Sequence, residues 1–403
     1  MTTRAALQVR TQDVPDVDLL GLAARLDDPI VWLNGEDGMV AAGEVARVAV
    51  GSGDDRFPRA AAELAGVFAG MDVTPGARAL AFGSFAFDPD SADSMLVVPA
   101  VAWGRTNGRS WMTTAGDVDG PSLLRPAAPP ASGRIRYGGS TISELAWLDA
   151  VAAAVGRIRI GEAGKTVLAR DVLVWSEEPF DVPLLLTRLA RRFPGCFTFS
   201  CGGLVGATPE LLVSRSGERV ASIVLAGTVG RGDEVAEDDR LAQGLLTSDK
   251  DLEEHAFAVD SVAAPLRDVC SELTVDGPRL LQLPNVQHLS TRVEGRLATE
   301  ATALELAGVL HPTAAVCGTP RGAALELIRD LEGMDRWRYA GPVGWVDSAG
   351  DGQWGIALRC GRFEGTRGRL FAGNGIVAAS EPEDELEETR VKLRAMMSAL
   401  EGA

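Results

Sequence analysis

The apolar positions of this chain change period many times along its length. Ala79-Leu-Ala-Phe-Gly-Ser-Phe-Ala-Phe87 and Ser94-Met-Leu-Val-Val-Pro99 are short apolar runs among Gly, Asp and Pro, and they predict strands. Thr141-Ile-Ser-Glu144 has the spacing of a capping box ahead of a helical apolar period, which predicts a helix running to about Ile160. Lys165-Thr-Val-Leu-Ala-Arg-Asp-Val-Leu-Val-Trp175 predicts a strand, and a helix should follow from about Val182 to Phe193 with Asp181 as its N-cap. Cys196 to Arg215 predicts two strands broken at Gly206-Ala-Thr-Pro-Glu210. Residues 234–246 and 249–271 have helical periods, 272–297 is mostly extended, and 300–310 and 321–332 are helical again. Strands then alternate with turns at Ser348-Ala-Gly-Asp-Gly352 and Glu364-Gly-Thr-Arg-Gly368, and a last helix opens at Pro382. Strands and helices mixed in this way, without a regular βαβ beat or an internal repeat, indicate an α+β fold. Residues 112–140, including Arg125-Pro-Ala-Ala-Pro-Pro130, are rich in Gly, Pro and Ala. They predict a connector between an N-terminal lobe (1–111) and a C-terminal region (141–403), the two lobes forming one compact unit.

Composition narrows the function. The 403 residues are 46% hydrophobic, enough for a sizeable core. The net charge of −17, with no basic stretch, argues against nucleic acid or an anionic membrane as partner. A small anionic substrate is still compatible, because local Lys, Arg or metal can reverse the sign inside a pocket. Five cysteines without C-x-x-C spacing read as free thiols of a reducing cytoplasm. No apolar run approaches the ~18–20 residues that span a bilayer, and Met1 to Asp18 has no apolar signal-peptide core. A soluble cytoplasmic protein is the expectation.

The tail, from Phe371-Ala-Gly-Asn-Gly-Ile-Val377 into the helix at Pro382, reads as a Gly-rich loop entering a helix. Glu385, Glu388 and Lys392 fall at i, i+3 and i+7, on one helix face that can hold a divalent cation together with an anionic ligand. Glu254 lies near the start of another predicted helix. Carboxylates from two helices suit a hard cation such as Mg²⁺, and acidic residues near helix N-termini also stabilise the helix dipole without any metal. Lys165 opens an apolar strand, either desolvated as a general base or reaching solvent at a strand end. Glu210 follows Pro209 at a turn, either a protonated acid in an apolar pocket or a turn carboxylate facing water. Arg359, in Trp354-Gly-Ile-Ala-Leu-Arg-Cys360, reads as a strand arginine that needs a substrate carboxylate or an internal ion pair. The three histidines, His255, His288 and His311, have no zinc spacing. Gly373-Asn-Gly375 lacks the dinucleotide fingerprint, which argues against NAD.

Seen together, these segments resemble the chorismate-utilising enzymes over about residues 140–403. The matching blocks are Lys165-Thr-Val-Leu-Ala-Arg170, Gly206-Ala-Thr-Pro-Glu-Leu-Leu212, Leu225-Ala-Gly-Thr228, Ser248-Asp-Lys-Asp251 with Glu254-His255, Val286-Gln-His-Leu289, Leu310-His-Pro-Thr313, Ile356-Ala-Leu-Arg-Cys360 and the tail. The resemblance implies a large two-lobed fold of mainly antiparallel sheets with helices packed outside. Within the family the chain looks most like the isochorismate synthases. Members that add water need a base, and Lys165 matches that lysine, which the ammonia-using anthranilate synthases lack. Ala226 stands where aminodeoxychorismate synthases carry a nucleophilic lysine. The rival readings are a salicylate synthase, which goes on to eliminate pyruvate, and a chorismate-binding subunit partnered by an amidotransferase chain.

Carried over residue by residue, the resemblance implies that Lys165 activates water for attack at C2 of chorismate and that Glu210 protonates the departing C4 hydroxyl. It implies Mg²⁺ at Glu254 and Glu388 with Glu385 nearby, and substrate carboxylates at Arg359 and Lys392. Backbone donors would come from Gly227, Thr228 and Gly375, with His288 lining the pocket, and no obligatory protein partner is expected. Isochorismate made by such enzymes goes to menaquinone, catechol siderophores or salicylate. One position departs from the pattern: the residue between the two glycines is usually small, and here it is Asn374. Its side chain either turns away and leaves the backbone donors intact, or crowds the pocket.

Overall fold

The computed structural model describes residues 6–126, 133–232, 234–284 and 286–402. Its frame is two large sheets. The long strand Lys165–Ser176 is buried along most of its length and has a neighbour on each edge: it pairs with Arg367–Ile376 on one and with Ile135–Tyr137 and Gly318–Thr319 on the other. From Arg367–Ile376 the first sheet continues through Cys360–Glu364, Leu204–Thr208 and Phe197–Cys201 to Ile30–Asn34, where strands from the N-terminal part of the chain take over. The second sheet has the long antiparallel pair Val286–Leu297 and Arg219–Gly230 toward one edge, and passes through Leu211–Ser216, Gly352–Ile356 and Pro342–Asp347 to Leu80–Ser84. Both sheets are antiparallel except where Leu7–Asp13 lies parallel to Met71–Val73. The main apolar core draws on residues of both, including Trp32, Phe82, Phe199 and Trp354. N-terminal and C-terminal strands therefore share sheets, and the fold is α+β as the pattern predicts.

Local chemistry accounts for the helix boundaries. Asp181 Oδ1 accepts from the Leu184 amide and caps the helix Val182–Arg192, whose Leu185, Leu186 and Leu189 are buried. Thr302 and Glu305 form a full capping box at the start of Ala303–Leu310. The predicted box at Thr141 does not form. The helix starts at Glu144 with Ser143 as its cap, and Thr141 instead bonds the buried carboxylate of Asp171.

Other expectations need correction. Cys196–Arg215 holds three strands and not two, because Gly202 and Gly203, at φ 53° and 78°, turn the chain in a tight hairpin. The Gly-rich tail is not a loop: Gly373, Asn374 and Gly375 lie inside the strand Arg367–Ile376, opposite Ala169, Leu168 and Val167. The expected connector is shorter than 112–140, since Arg109–Ala115 and Ile135–Tyr137 are sheet strands. Residues 127–132 of its Pro/Ala run lie outside the described residues.

A buried ion pair joins the strand Lys165–Ser176 to the segment after Arg321–Leu331. Arg336 and Glu332 are 4% and 1% exposed. Arg336 also donates to the carbonyls of Val167 and Val316, while Glu332 accepts from the Ala169 amide. Removing one partner of a buried pair costs about 3–5 kcal/mol, since the other charge is left stranded. Glu332→Ala should lose stability of that order in urea titration with an unchanged slope.

Candidate active site

The residues predicted for the site converge. Glu210, Gly227, Thr228, His288 and Arg359 line one cavity of about 290 Å³, together with Glu254, Gly375, Glu385, Glu388 and Lys392. That volume lies at the small end of ligand clefts, about 300–1,000 Å³. Lys165 is fully buried and meets the cavity through Glu254, whose Oε1 accepts from its Nζ at 3.0 Å. It is not a solvated strand-end lysine.

Each side chain is aimed by its element. Glu254 and Asp251 come from the helix Asp249–Val269, capped by Ser248. Glu385, Glu388 and Lys392 come from the helix Pro382–Glu401, on the face their spacing predicts. A bulge between Ala226 and Thr228 interrupts the pairing of Arg219–Gly230 with Val286–Leu297. Gly227 occupies it at φ 74°, where a side chain would be strained. Gly375 is required for another reason: a Cβ there would sit 2.4 Å from Glu254 Oε1 and 2.7 Å from Lys165 Cε. Its register partner Val167 donates instead to the Cys317 carbonyl and accepts from Arg336, so the Gly375 peptide faces the other way, along the cavity.

Arg359 corrects a further expectation. It is not in a strand. It sits between Gly352–Ile356 of the second sheet and Cys360–Glu364 of the first, at φ 47°. The crossing between sheets turns its side chain toward the cavity. Among the described residues it pairs with no carboxylate, and its Nε has no acceptor. Its Nη2 donates to His288 Nε2 at 3.3 Å. A guanidinium only donates, so Nε2 is the acceptor and Nδ1 carries the proton toward Thr228 Oγ1 at 2.9 Å. Burial and the charges of Arg359 and Lys392 hold His288 well below its usual pKa, so it stays neutral.

Glu210 is the reverse of an ordinary carboxylate. It is 3% exposed, and burial pushes it up to about 8, against the pull of a Leu225 backbone hydrogen bond and the charges of Lys165 and Arg359. At neutral pH it carries a proton it can donate.

Asn374 turns away from the cavity. It is 1% exposed, and its amide bonds Glu385 and Lys392 beneath the C-terminal helix. His255 and His311 are structural: His255 bridges the Ala226 carbonyl and Thr291, and His311 bonds the Phe87 carbonyl.

For a metal, no group of three His, Cys, Asp or Glu is already arranged as a cage among the described residues. The donor set nonetheless suits a hard cation. Asp251, Glu254, Glu385 and Glu388 all face the cavity, and Mg²⁺ uses one or two carboxylates with its remaining positions filled by water. Glu388 pairs with Lys392 at 2.7 Å, as Glu254 does with Lys165.

Sequence reasoning missed Asp251, Arg336 and Tyr339, which also line the cavity. Asp251 had a signal, the same i, i+3 step to Glu254 that joins Glu385 to Glu388. Tyr339, one of two tyrosines, had none, because its position depends on the left-handed residues Trp337 and Ala340 around it.

A family model described as "Chorismate binding enzyme" matches residues 122–401. Isochorismate synthase DhbC of Bacillus subtilis is 45% identical over 259 residues, 61% of this chain and 65% of that protein. Isochorismate synthase MenF of the same organism is 40% identical over 261 residues, 64% of this chain and 55% of that protein. The chain thus matches less than two thirds of the length of these curated relatives. Among solved structures, the menaquinone-specific isochorismate synthase MenF of Escherichia coli superposes with a TM-score of 0.82 at 26% identity, covering 98% of this chain and 95% of that one.

The state of Glu210 is directly observable. Difference infrared spectroscopy should show a protonated carboxyl band at pH 7 that disappears as pH rises through about 8 and is missing from Glu210→Gln. A band unaltered by that substitution would assign the proton elsewhere.

Proposed function

The chain belongs to the chorismate-binding enzyme family, and from that premise we propose that it is an isomerase converting chorismate to isochorismate. The observation that carries the reading is the meeting, at one cavity, of a buried lysine amine and a carboxylic acid that is protonated at neutral pH. The reaction adds water at C2 and expels the C4 hydroxyl. Lys165 is the base that takes the proton from water, and Glu210 is the acid that gives one to the leaving oxygen. A neutral amine has two N–H groups and a lone pair, so Lys165 can donate to Glu254 while its lone pair takes the proton from water. Arg359 and Lys392 receive the carboxylates of the dianionic substrate. His288, fixed by Arg359, orients the Thr228 hydroxyl, and the peptides of Gly227 and Gly375 line the ring.

A dianion does not enter a cavity faced by four carboxylates unless positive charge is supplied. Glu254 and Glu388, with Glu385 beside them, would hold Mg²⁺, which when bound adds that charge next to the substrate carboxylate. The names of the relatives support isochorismate as the product, and Lys165 favours water over ammonia, which removes the need for an amidotransferase partner. No helix among the described residues is long and apolar enough to cross a membrane. All five cysteines are free, in keeping with a cytoplasmic setting.

Purified protein with chorismate and Mg²⁺ should release isochorismate, and EDTA should abolish it. Salicylate with pyruvate would place the chain among the lyases, and turnover that survives chelation would remove the metal from the scheme. Lys165→Ala and Glu210→Gln should each lower turnover ~10²–10⁴-fold with the fold intact. Wild-type turnover should also fall as pH rises through about 8, where Glu210 loses its proton.

A further inference from the structure

Successive strand residues face opposite sides, so while Gly373 and Gly375 present bare backbone to the cavity, Asn374 points beneath the helix Pro382–Glu401. Its amide nitrogen donates to the Glu385 carbonyl at 2.6 Å and to Glu385 Oε2 at 3.1 Å. Its amide oxygen accepts from Lys392 Nζ at 2.8 Å. Lys392 has two further acceptors, the Gly373 carbonyl at 3.0 Å and Glu388 Oε1 at 2.7 Å. An ammonium has three N–H donors, and here each has an acceptor.

One buried amide thus grips two charged groups that lie two helical turns apart on the same face. An aliphatic residue at 374 would leave Lys392 one acceptor short and would free its long side chain to choose among rotamers. It would also remove the donor that fixes one oxygen of Glu385. We propose that Asn374 is a positioning residue: without touching the substrate, it presets Lys392 for an anionic ligand and holds Glu385 in place beside it. The proposal rests on the isochorismate-forming reading for the identity of that ligand, but not for the geometry of the clamp.

Asn374→Ala tests it, with Asn374→Asp as the second variant, since the aspartate keeps an acceptor for Lys392 but cannot donate to Glu385. The chain has only three lysines, so selective ¹⁵N-lysine labelling gives a readable ammonium spectrum in which Lys165, held by Glu254, reports on the intact site. The Lys392 ammonium signal should be protected from exchange in the wild type, lost in Asn374→Ala and kept in Asn374→Asp, with the Lys165 signal kept in all three. For Asn374→Ala, KM for chorismate should rise about ten- to hundredfold, the size expected for losing a hydrogen bond to a charged group, with kcat changed much less. Asn374→Ala with an unchanged KM and a protected Lys392 signal overturns the proposal. If Asn374→Ala does not fold, Asn374→Asp decides: loss of the Lys392 signal there, with Lys165 retained, overturns it. A wild-type protein that leaves chorismate unchanged sinks the functional reading, while the ammonium spectra still decide on Asn374.

Discussion

A lysine with no solvent contact is the constraint around which this site is assembled. A charge in that position is costly unless a partner of opposite sign meets it. Lys165 opens its strand at 0% exposure, and Glu254 reaches it from a different element at 3.0 Å. For the two to meet, the neighbouring strand must bring no side chain between them, which is why residue 375 is glycine. The helix that carries Glu254 also rests on the bulge at Gly227, where a Cβ would already lie 3.3 Å from Asp251 Cβ. Further along the strand, Glu332 and Arg336 fix the backbone of Ala169 and Val167. The buried amine, the bare backbone at Gly375 and the helix that brings Glu254 are thus fitted to one another.

The use of basic residues follows the same logic. Of 39 lysines and arginines only three are lysines, and two of those three belong to the site. Arginine stays charged and suits ion pairs, as in the buried pair with Glu332. Only lysine can lose its proton to become a base, or serve as a compact three-donor point charge like Lys392. The acids divide in a similar way. Glu210 is deep enough to keep a proton, whereas Glu254 and Glu388 each meet a lysine, at 3.0 and 2.7 Å.

Much of this was legible in the chain because local rules were obeyed. Asp181 before Val182-Pro183 marked a helix start that the structure keeps, and the spacing of Glu385, Glu388 and Lys392 fixed their common face. What was not legible depends on long-range pairing. Gly373-Asn-Gly375 looks like a loop until its antiparallel partner at 167–169 is known. Arg359 looks like a strand residue because apolar residues surround it, and only the crossing between sheets takes it out of the ladder. Thr141 had the spacing of a cap, but a buried carboxylate 30 residues away was a stronger claimant for its hydroxyl.

The hardest features to read include two strained segments beside the cavity. Trp337, Ala340 and Arg359 have left-handed backbones at φ 53°, 62° and 47°, a region that costs non-glycine residues about 1–3 kcal/mol each unless their surroundings enforce it. Here they are enforced. Arg338 and Arg362 both lie over the Trp337 ring, at 3.7 and 4.7 Å. The Ala340 amide donates to the Ala357 carbonyl, and the Ala357 amide donates in turn to Gly341, which ties the segment carrying Tyr339 to the one carrying Arg359. Two strained segments locked to each other present a tyrosine and an arginine to the same space. Strain relieved in either segment would be transmitted to the other, so the direction of Arg359 is a property of the paired segments together.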